Sequence, residues 1–255
     1  MTDGDELEFL VLGPLEAHAR GRPLALGGPR QRALLARLLV AVNEMVPADR
    51  LVEDVWDGHP PRTCANALHV HVSRLRRLLG HDALRTVAAG YVLSVPAGRI
   101  DAVRFDELRA AAGLLPAAGA AERLSEALAL WRGPAFANVA EAFVRAEAAR
   151  LEELRLVALE RRVEADLVLG RHRELCAELE ALLAAEPFRE GLRAQLMIAL
   201  YRSGRQAAAL RVYREGRRRL AGELGIEPTP QLRRLEQAIL AQDPSLDWQI
   251  RHSND

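Results

Sequence analysis

The chain has 255 residues, enough for about two domains with a core each, and 49% hydrophobic with 27% charged residues is a globular composition. No apolar run approaches the roughly 20 residues needed to cross a bilayer, and the acidic start MTDGDELEF lacks the layout of a secretory leader, so a cytoplasmic, nucleoid-associated protein with no membrane partner is expected. Net charge is zero and every basic residue is Arg, which excludes a generic polyanion binder but not a local basic patch; Cys64 and Cys176 are too isolated for a disulfide framework or a metal site.

Residues 7–12 are predicted as a strand ending in the Gly13-Pro14 turn. Residues 15–19 and 22–26 alternate as short strands around Arg20-Gly21. After Gly27-Gly28-Pro29 a first helix starts at Arg30, with Leu34, Leu35, Leu38, Leu39 and Val42 on one side and Asn43 at its end. Val46-Pro47 is a brief extended piece. A second helix opens at or just before Asp49 and turns Leu51, Val52, Val55 and Trp56 inward. Asp57-Gly58-His59-Pro60-Pro61 cannot be helical and forms an exposed loop.

The third helix, residues 62–80, is the most informative stretch. Leu68, Val72, Leu75 and Leu79 fall at i, i+4, i+7 and i+11, one apolar stripe that seats the helix on a core. The other face carries Arg62, Asn66, Val70, Ser73 and Arg77, flanked by His69 and Arg76 on one side and Thr63 and Arg74 on the other. From Arg62 to Arg85 there are five Arg against Asp82 alone. Such a face suits a DNA major groove, where Arg grips guanine, Asn pairs with adenine and Val meets a thymine methyl. Asn66, His69, Val70, Ser73 and Arg74 lie in the turns that enter deepest and are the base-reading candidates. Arg62, Thr63, His71, Arg76, Arg77, Arg85 and Thr86 are the candidate phosphate anchors. Residues 84–87 and 91–95 then form a hairpin, with Gly90 expected to supply the freedom of the Ala88-Ala89-Gly90 turn.

The stretch SVPAGRIDA, residues 94–102, is the expected domain boundary, and residues 1–100 are expected to recognise DNA unaided. Beyond it helices are predicted over 103–115, 118–131, 141–169, 171–185, 189–203, 205–223 and 229–242, punctuated by Gly133-Pro134, Glu186-Pro187 and Glu227-Pro228-Thr229-Pro230. Gly170-Arg171 and Gly204-Arg205 recur 34 residues apart, the period of a tetratricopeptide repeat, although two helix C-caps read the same way. Leu196, Ala199, Leu200, Gly204, Ala207, Leu210 and Tyr213 give the small/large pattern of paired helices. Stacked helical pairs offer grooves for partner segments and carry no catalytic chemistry.

The order of strands, three helices and hairpin is that of a winged helix. Leu51-Val52-Glu53-Asp54-Val55-Trp56, Val70-His71-Val72-Ser73-Arg74-Leu75-Arg76-Arg77-Leu78, Thr86-Val87 and Gly90-Tyr91-Val92-Leu93 closely resemble the DNA-binding domain of OmpR/PhoB-type response regulators. The resemblance would place an arginine near Ala88 in the wing, where this chain has none. A receiver domain is not expected ahead of the first strand.

Gly13-Pro14-Leu15, the run Pro29-Arg30-Gln31-Arg32-Ala33-Leu34-Leu35, the run Ala199-Leu200-Tyr201-Arg202-Ser203-Gly204-Arg205-Gln206-Ala207-Ala208-Ala209-Leu210 and Glu223-Leu224-Gly225-Ile226-Glu227-Pro228 extend the likeness. Together the two halves resemble the Streptomyces antibiotic regulatory protein family, in its short form without ATPase and sensor modules. The implied fold class is mainly α with small β. An OmpR/PhoB-type winged helix-turn-helix spans residues 1–98, an all-α, tetratricopeptide-like bacterial transcriptional activation domain spans 99–245, and a flexible tail spans 246–255. The resemblance implies a pathway-specific activator of a secondary-metabolite (antibiotic) gene cluster. It would bind direct repeats of double-stranded DNA as a head-to-tail homodimer and recruit RNA polymerase holoenzyme through sigma factor and core subunits, with Asp57, Gly58 and His59 facing the polymerase.

Catalysis is not expected. His69 and His71 are two apart and point to different sides of a helix, so they cannot chelate one ion as an i, i+4 pair would. No phosphate-binding Gly-rich loop, nucleophile elbow or metal-ligand spacing occurs, and no cofactor is implied. The rival to the DNA-binding reading is a tetratricopeptide-like adaptor without specific DNA binding, which would leave the Arg/Asn/His face unexplained.

Overall fold

In the computed structural model residues 7–248 are described. Strands β1 (Leu7–Leu10), β2 (Glu16–Ala19) and β3 (Arg22–Pro23) form an antiparallel sheet in chain order, with Phe9 opposite Ala17 and His18 opposite Pro23. The alternation in β1 buries Leu7 and Phe9. Helix α1 (Pro29–Val40) opens with proline at its first turn, where the missing N–H costs nothing, and buries Leu34, Leu35, Leu38 and Leu39. Helix α2 (Ala48–Val55) ends at the buried Trp56, because Asp57 (φ 52°) and Gly58 (φ 76°) turn left-handed. Helix α3 (Cys64–Leu79) follows.

Strands β4 (Val46–Pro47), β5 (Leu84–Val87) and β6 (Gly90–Leu93) make a second antiparallel sheet, ordered β4-β6-β5. Its hairpin corrects one expectation. The left-handed residue of the turn is Ala88, at φ 47°, while Gly90 lies inside β6 paired with Val87. A Cβ on Gly90 would overlap the Val46 carbonyl, so glycine is required for the approach of β4 and not for the turn.

The helices beyond are α4 (Asp101–Ala112), α5 (Ala117–Ala129), α6 (Ala142–Val168), α7 (His172–Ala185), α8 (Glu190–Arg202), α9 (Gln206–Arg219) and α10 (Pro230–Ala241). Each lies within a few residues of its predicted place. The predicted end of α9 continues as a π-helical turn, Leu220–Leu224, closed by Gly225 at φ 68°. Among the described residues no helix is long and apolar enough to cross a membrane.

The chain packs as two compact units, one of residues up to 111 with 125–157, the other of 112–124 with 158 onward. The first unit therefore does not end near residue 98. Buried Asp101 accepts the N–H groups of Val11 (2.8 Å) and Leu12 (3.1 Å). Arg132 N–H donates to the Leu12 carbonyl at 2.7 Å, Phe136 N–H to the Val11 carbonyl at 2.9 Å, and the Asn138 amide closes both backbone bonds of Leu15. Residues 11–15 thus find their backbone partners beyond residue 100, and a buried N–H without one is costly.

In the second unit the 34-residue spacing is structural. Gly170 (φ 83°) and Gly204 (φ 75°) both terminate a helix left-handed, and α7 and α9 start two residues after them. The same cap bond recurs: Arg171 N–H to the Asp166 carbonyl at 3.1 Å, Arg205 N–H to the Leu200 carbonyl at 2.9 Å. The C-caps and the repeat are one feature. Of the tail expected over 246–255, Trp248 donates its indole N–H to the Val168 carbonyl at 2.9 Å; residues 249–255 lie outside the described part.

Candidate nucleic-acid interface

Leu68, Val72, Leu75 and Leu79 are buried, as the stripe predicted, and this fixes the rotation of α3. Arg62, Thr63, Asn66, His69, Val70, Ser73, Arg74 and Arg77 are exposed; Val70 shows 49% of its surface, notable for an apolar residue. There is no acidic residue in the first turn, and Thr63, at the N-cap, makes no side-chain cap bond. The last turn carries Arg76 and Arg77.

Around this face the wing is tied down by side chains. Arg76 donates from Nε to the Leu84 carbonyl (2.8 Å) and from Nη2 to Thr86 Oγ1 (2.6 Å), and its guanidinium lies 5.8 Å from the Tyr91 ring centroid. Tyr91 Oη meets His69 Nδ1 at 3.0 Å. Tyr91 is thus a site residue that its position in a strand buried throughout did not reveal, because the phenol reaches across to a neighbouring helix. Arg76 and Thr86 form a latch between α3 and β5. Arg85 is exposed, with one long contact to Ser94 at 3.4 Å.

Two sequence candidates sit away from that face. The His71 ring packs 6.1 Å from Trp56, and its Nδ1 is buried without a hydrogen-bond partner. Burial, then the charges of Arg74 and Arg30, hold its pKa below the ordinary imidazole value, which favours the neutral ring. Asp57 Oδ1 accepts the N–H of Ala142, the first residue of α6, while Asp57 O meets His59 Nδ1 at 2.8 Å. Asp57, Gly58 and His59 are all exposed, but Asp57 also caps a helix.

Beneath the site, arginines early in the chain set the positions of the helices. Buried Asp54 receives Arg37 at 2.7 Å and Arg50 at 3.0 Å. Arg30 donates to the Val55 carbonyl at 2.6 Å and to buried Glu141 at 3.2 Å. The partner of Arg30 more than 100 residues away had no local signal in the sequence.

Two families match this chain: the one described as "Transcriptional regulatory protein, C terminal" over residues 21–93, and the one described as "Bacterial transcriptional activator domain" over residues 100–240. Regulatory protein AfsR of Streptomyces coelicolor is 44% identical over 245 residues, covering 94% of this chain and 25% of that protein. The chain thus spans about a quarter of that relative's length. Regulatory protein DnrI of Streptomyces peucetius is 38% identical over 257 residues, covering 94% of each. The solved structure of Mycobacterium tuberculosis EmbR in complex with a low-affinity phosphopeptide superposes with a TM-score of 0.90 at 38% identity, covering 94% of this chain and 66% of that one. A winged-helix unit with a basic α3 face, a second unit of helical repeats and these relatives lead to one conclusion: the chain belongs to the Streptomyces antibiotic regulatory protein family of transcriptional regulators.

Proposed function

We propose that this regulator is a sequence-specific DNA-binding activator of a secondary-metabolite gene cluster. The observation that carries the reading is the exposed face of α3, a run of Arg, Asn, His, Ser and Val without a carboxylate on a helix whose other face is locked into a core. Asn66, His69, Val70, Ser73 and Arg74 read bases in the major groove, with Tyr91 fixing the His69 ring. Arg62, Thr63, Arg77 and Arg85 hold phosphates. Arg76 and Thr86 hold the wing against α3 and present its edge to the backbone. His71 contributes through its packing on Trp56.

In this reading residues 1–98 contribute the DNA-reading surface and 99–245 the activation surface. Two copies bind direct repeats head to tail and recruit RNA polymerase holoenzyme, with Gly58 and His59 in the loop before α3 among the contacts. The test is footprinting on promoters that neighbour its own gene, with and without polymerase. Protection of paired repeats, extended when polymerase is added, is the expected result. Absence of any protected site alongside retained protein partners would favour the adaptor reading, which the helical repeats of the second unit support.

A further inference from the structure

In the second unit α7, α8, α9 and the π-helical turn enclose a groove of about 990 Å³. Its floor is apolar: Leu196 and Leu200 are buried, and Leu183 and Val212 are half-buried along its sides. Its rim is basic. Arg211, Arg214 and Arg218 stand at i, i+3 and i+7 on α9, all exposed, and Arg205 joins them at the start of the helix.

A solvated arginine face usually has its charges balanced nearby. Two of the groove's arginines conform: Arg217 pairs with Glu227 at 3.0 Å and Arg219 with Glu223 at 3.4 Å. Arg205, Arg211, Arg214 and Arg218 have no carboxylate partner among the described residues. Below them lies a fifth cation that water does not reach. Arg193 is 3% exposed, and its Nη atoms are spent on the Val212 (3.0 Å) and Pro187 (2.7 Å) carbonyls while its Nε has no partner. Burial lowers its pKa, and Glu215 and Glu190 offset that only in part. Its field adds to that of the rim, where a concave, low-dielectric wall strengthens it.

We propose that this groove receives an acidic, amphipathic helical segment of a partner protein, apolar side chains on the leucine floor and carboxylates on the arginine rim. A nucleic-acid backbone fits less well. It has no use for the apolar floor, and the carboxylates of Glu180 and Glu215 interrupt the rim. The proposal rests on the reading of the second unit as a partner-binding surface and supplies that surface's location and chemistry.

The test uses the full chain, without polymerase or promoter, so its failure leaves recruitment standing and a failure of recruitment leaves the groove standing. Three fluorescent peptides of about 18 residues share one leucine stripe and carry Glu, Gln or Arg at the remaining positions; a labelled duplex of random sequence is the fourth probe. The Glu peptide should bind at least about tenfold more tightly than the Gln peptide, and the Arg peptide not at all. Arg211→Glu with Arg218→Glu should abolish the difference, and the Gln substitutions at both positions should reduce it. These exposed residues anchor nothing in the fold, and circular dichroism confirms folding of each variant. Equal binding of Glu and Gln peptides, or undiminished binding by the charge-reversed chain, overturns the proposal. So does a loss confined to the random duplex, which would make the groove a phosphate track.

Discussion

At the residue scale, neighbouring arginines on α3 have different tasks because their surroundings differ. Arg74 and Arg77 are both exposed, but Arg74 lies in the middle turns and Arg77 at the end of the helix. Arg74→Ala should cost about 1–3 kcal/mol on the specific site and relax preference at one base pair. Arg77→Ala should weaken specific and random duplexes alike and reduce the salt slope by about one unit. Mobility shifts on both duplexes decide, and equal losses for Arg74→Ala would remove it from the base-reading set. A second residue-scale outcome concerns acid. His172 in the second unit is 7% exposed, neither ring nitrogen has a partner, and Trp248 stands 5.7 Å away. Burial, then Arg202, lowers its pKa below 6.5, so the folded chain binds fewer protons than the unfolded one. The stability that depends on the neutral ring is complete above that ordinary value and is lost as pH falls below it through the folded value. Denaturant unfolding at about pH 7.5 and about pH 5.5 should show a smaller acid loss in His172→Leu than in the natural chain. An unchanged loss would transfer the sensitivity to other groups, His71 first.

At the scale of elements, α3 and the hairpin act as one piece. The two hydrogen bonds of Arg76 and the Tyr91–His69 contact join them, whereas the turn itself carries only Ala88 and Ala89. Arg76→Ala removes a half-buried donor from the Leu84 carbonyl, and unfolding stability should drop by about 1–2 kcal/mol. DNA binding should fall with it on all sequences. Arg77→Ala should reduce binding with stability unchanged, so the pair separates a latch from an anchor. If Arg76→Ala leaves the denaturation midpoint where it was, the latch carries no weight in solution.

At the scale of the molecule, the unit that presents α3 draws on chain well beyond the hairpin. A fragment of residues 1–100 lacks Asp101, Arg132, Phe136 and Asn138, and strands the N–H groups of Val11, Leu12 and Leu15. An unsatisfied buried N–H costs about 1–3 kcal/mol, so this fragment should unfold at lower denaturant than the natural chain, followed by the fluorescence of Trp56 with Trp131 and Trp248 replaced by Phe in the longer chains, and should bind DNA weakly. Residues 1–157 should recover most of both. Coincident midpoints for 1–100 and the whole chain would show that those backbone groups find water instead. Asp57 belongs to the same network through the Ala142 N–H. Its substitution therefore tests structure as much as any polymerase contact, and His59 is the cleaner probe of the loop.

The sequence by itself determined what depends on neighbours close along the chain. The stripe of Leu68, Val72, Leu75 and Leu79 set which side of α3 faces out, and the prolines and glycines between apolar runs placed the helices. The recurrence of glycine after 34 residues marked the repeat. These are properties of local periodicity and backbone sterics, so they survive without coordinates. The tertiary structure decided what depends on distant partners. It turned Gly90 from a turn residue into the point where β4 approaches, drew Arg76 from the face into its support, brought Tyr91 to His69, and placed His71 against Trp56. It also extended the first unit to Asp101 and Asn138. No local pattern encodes those pairings, because a buried carbonyl or carboxylate takes whichever donor the packed chain brings to it, 90 residues away for Val11 and 123 for Leu15.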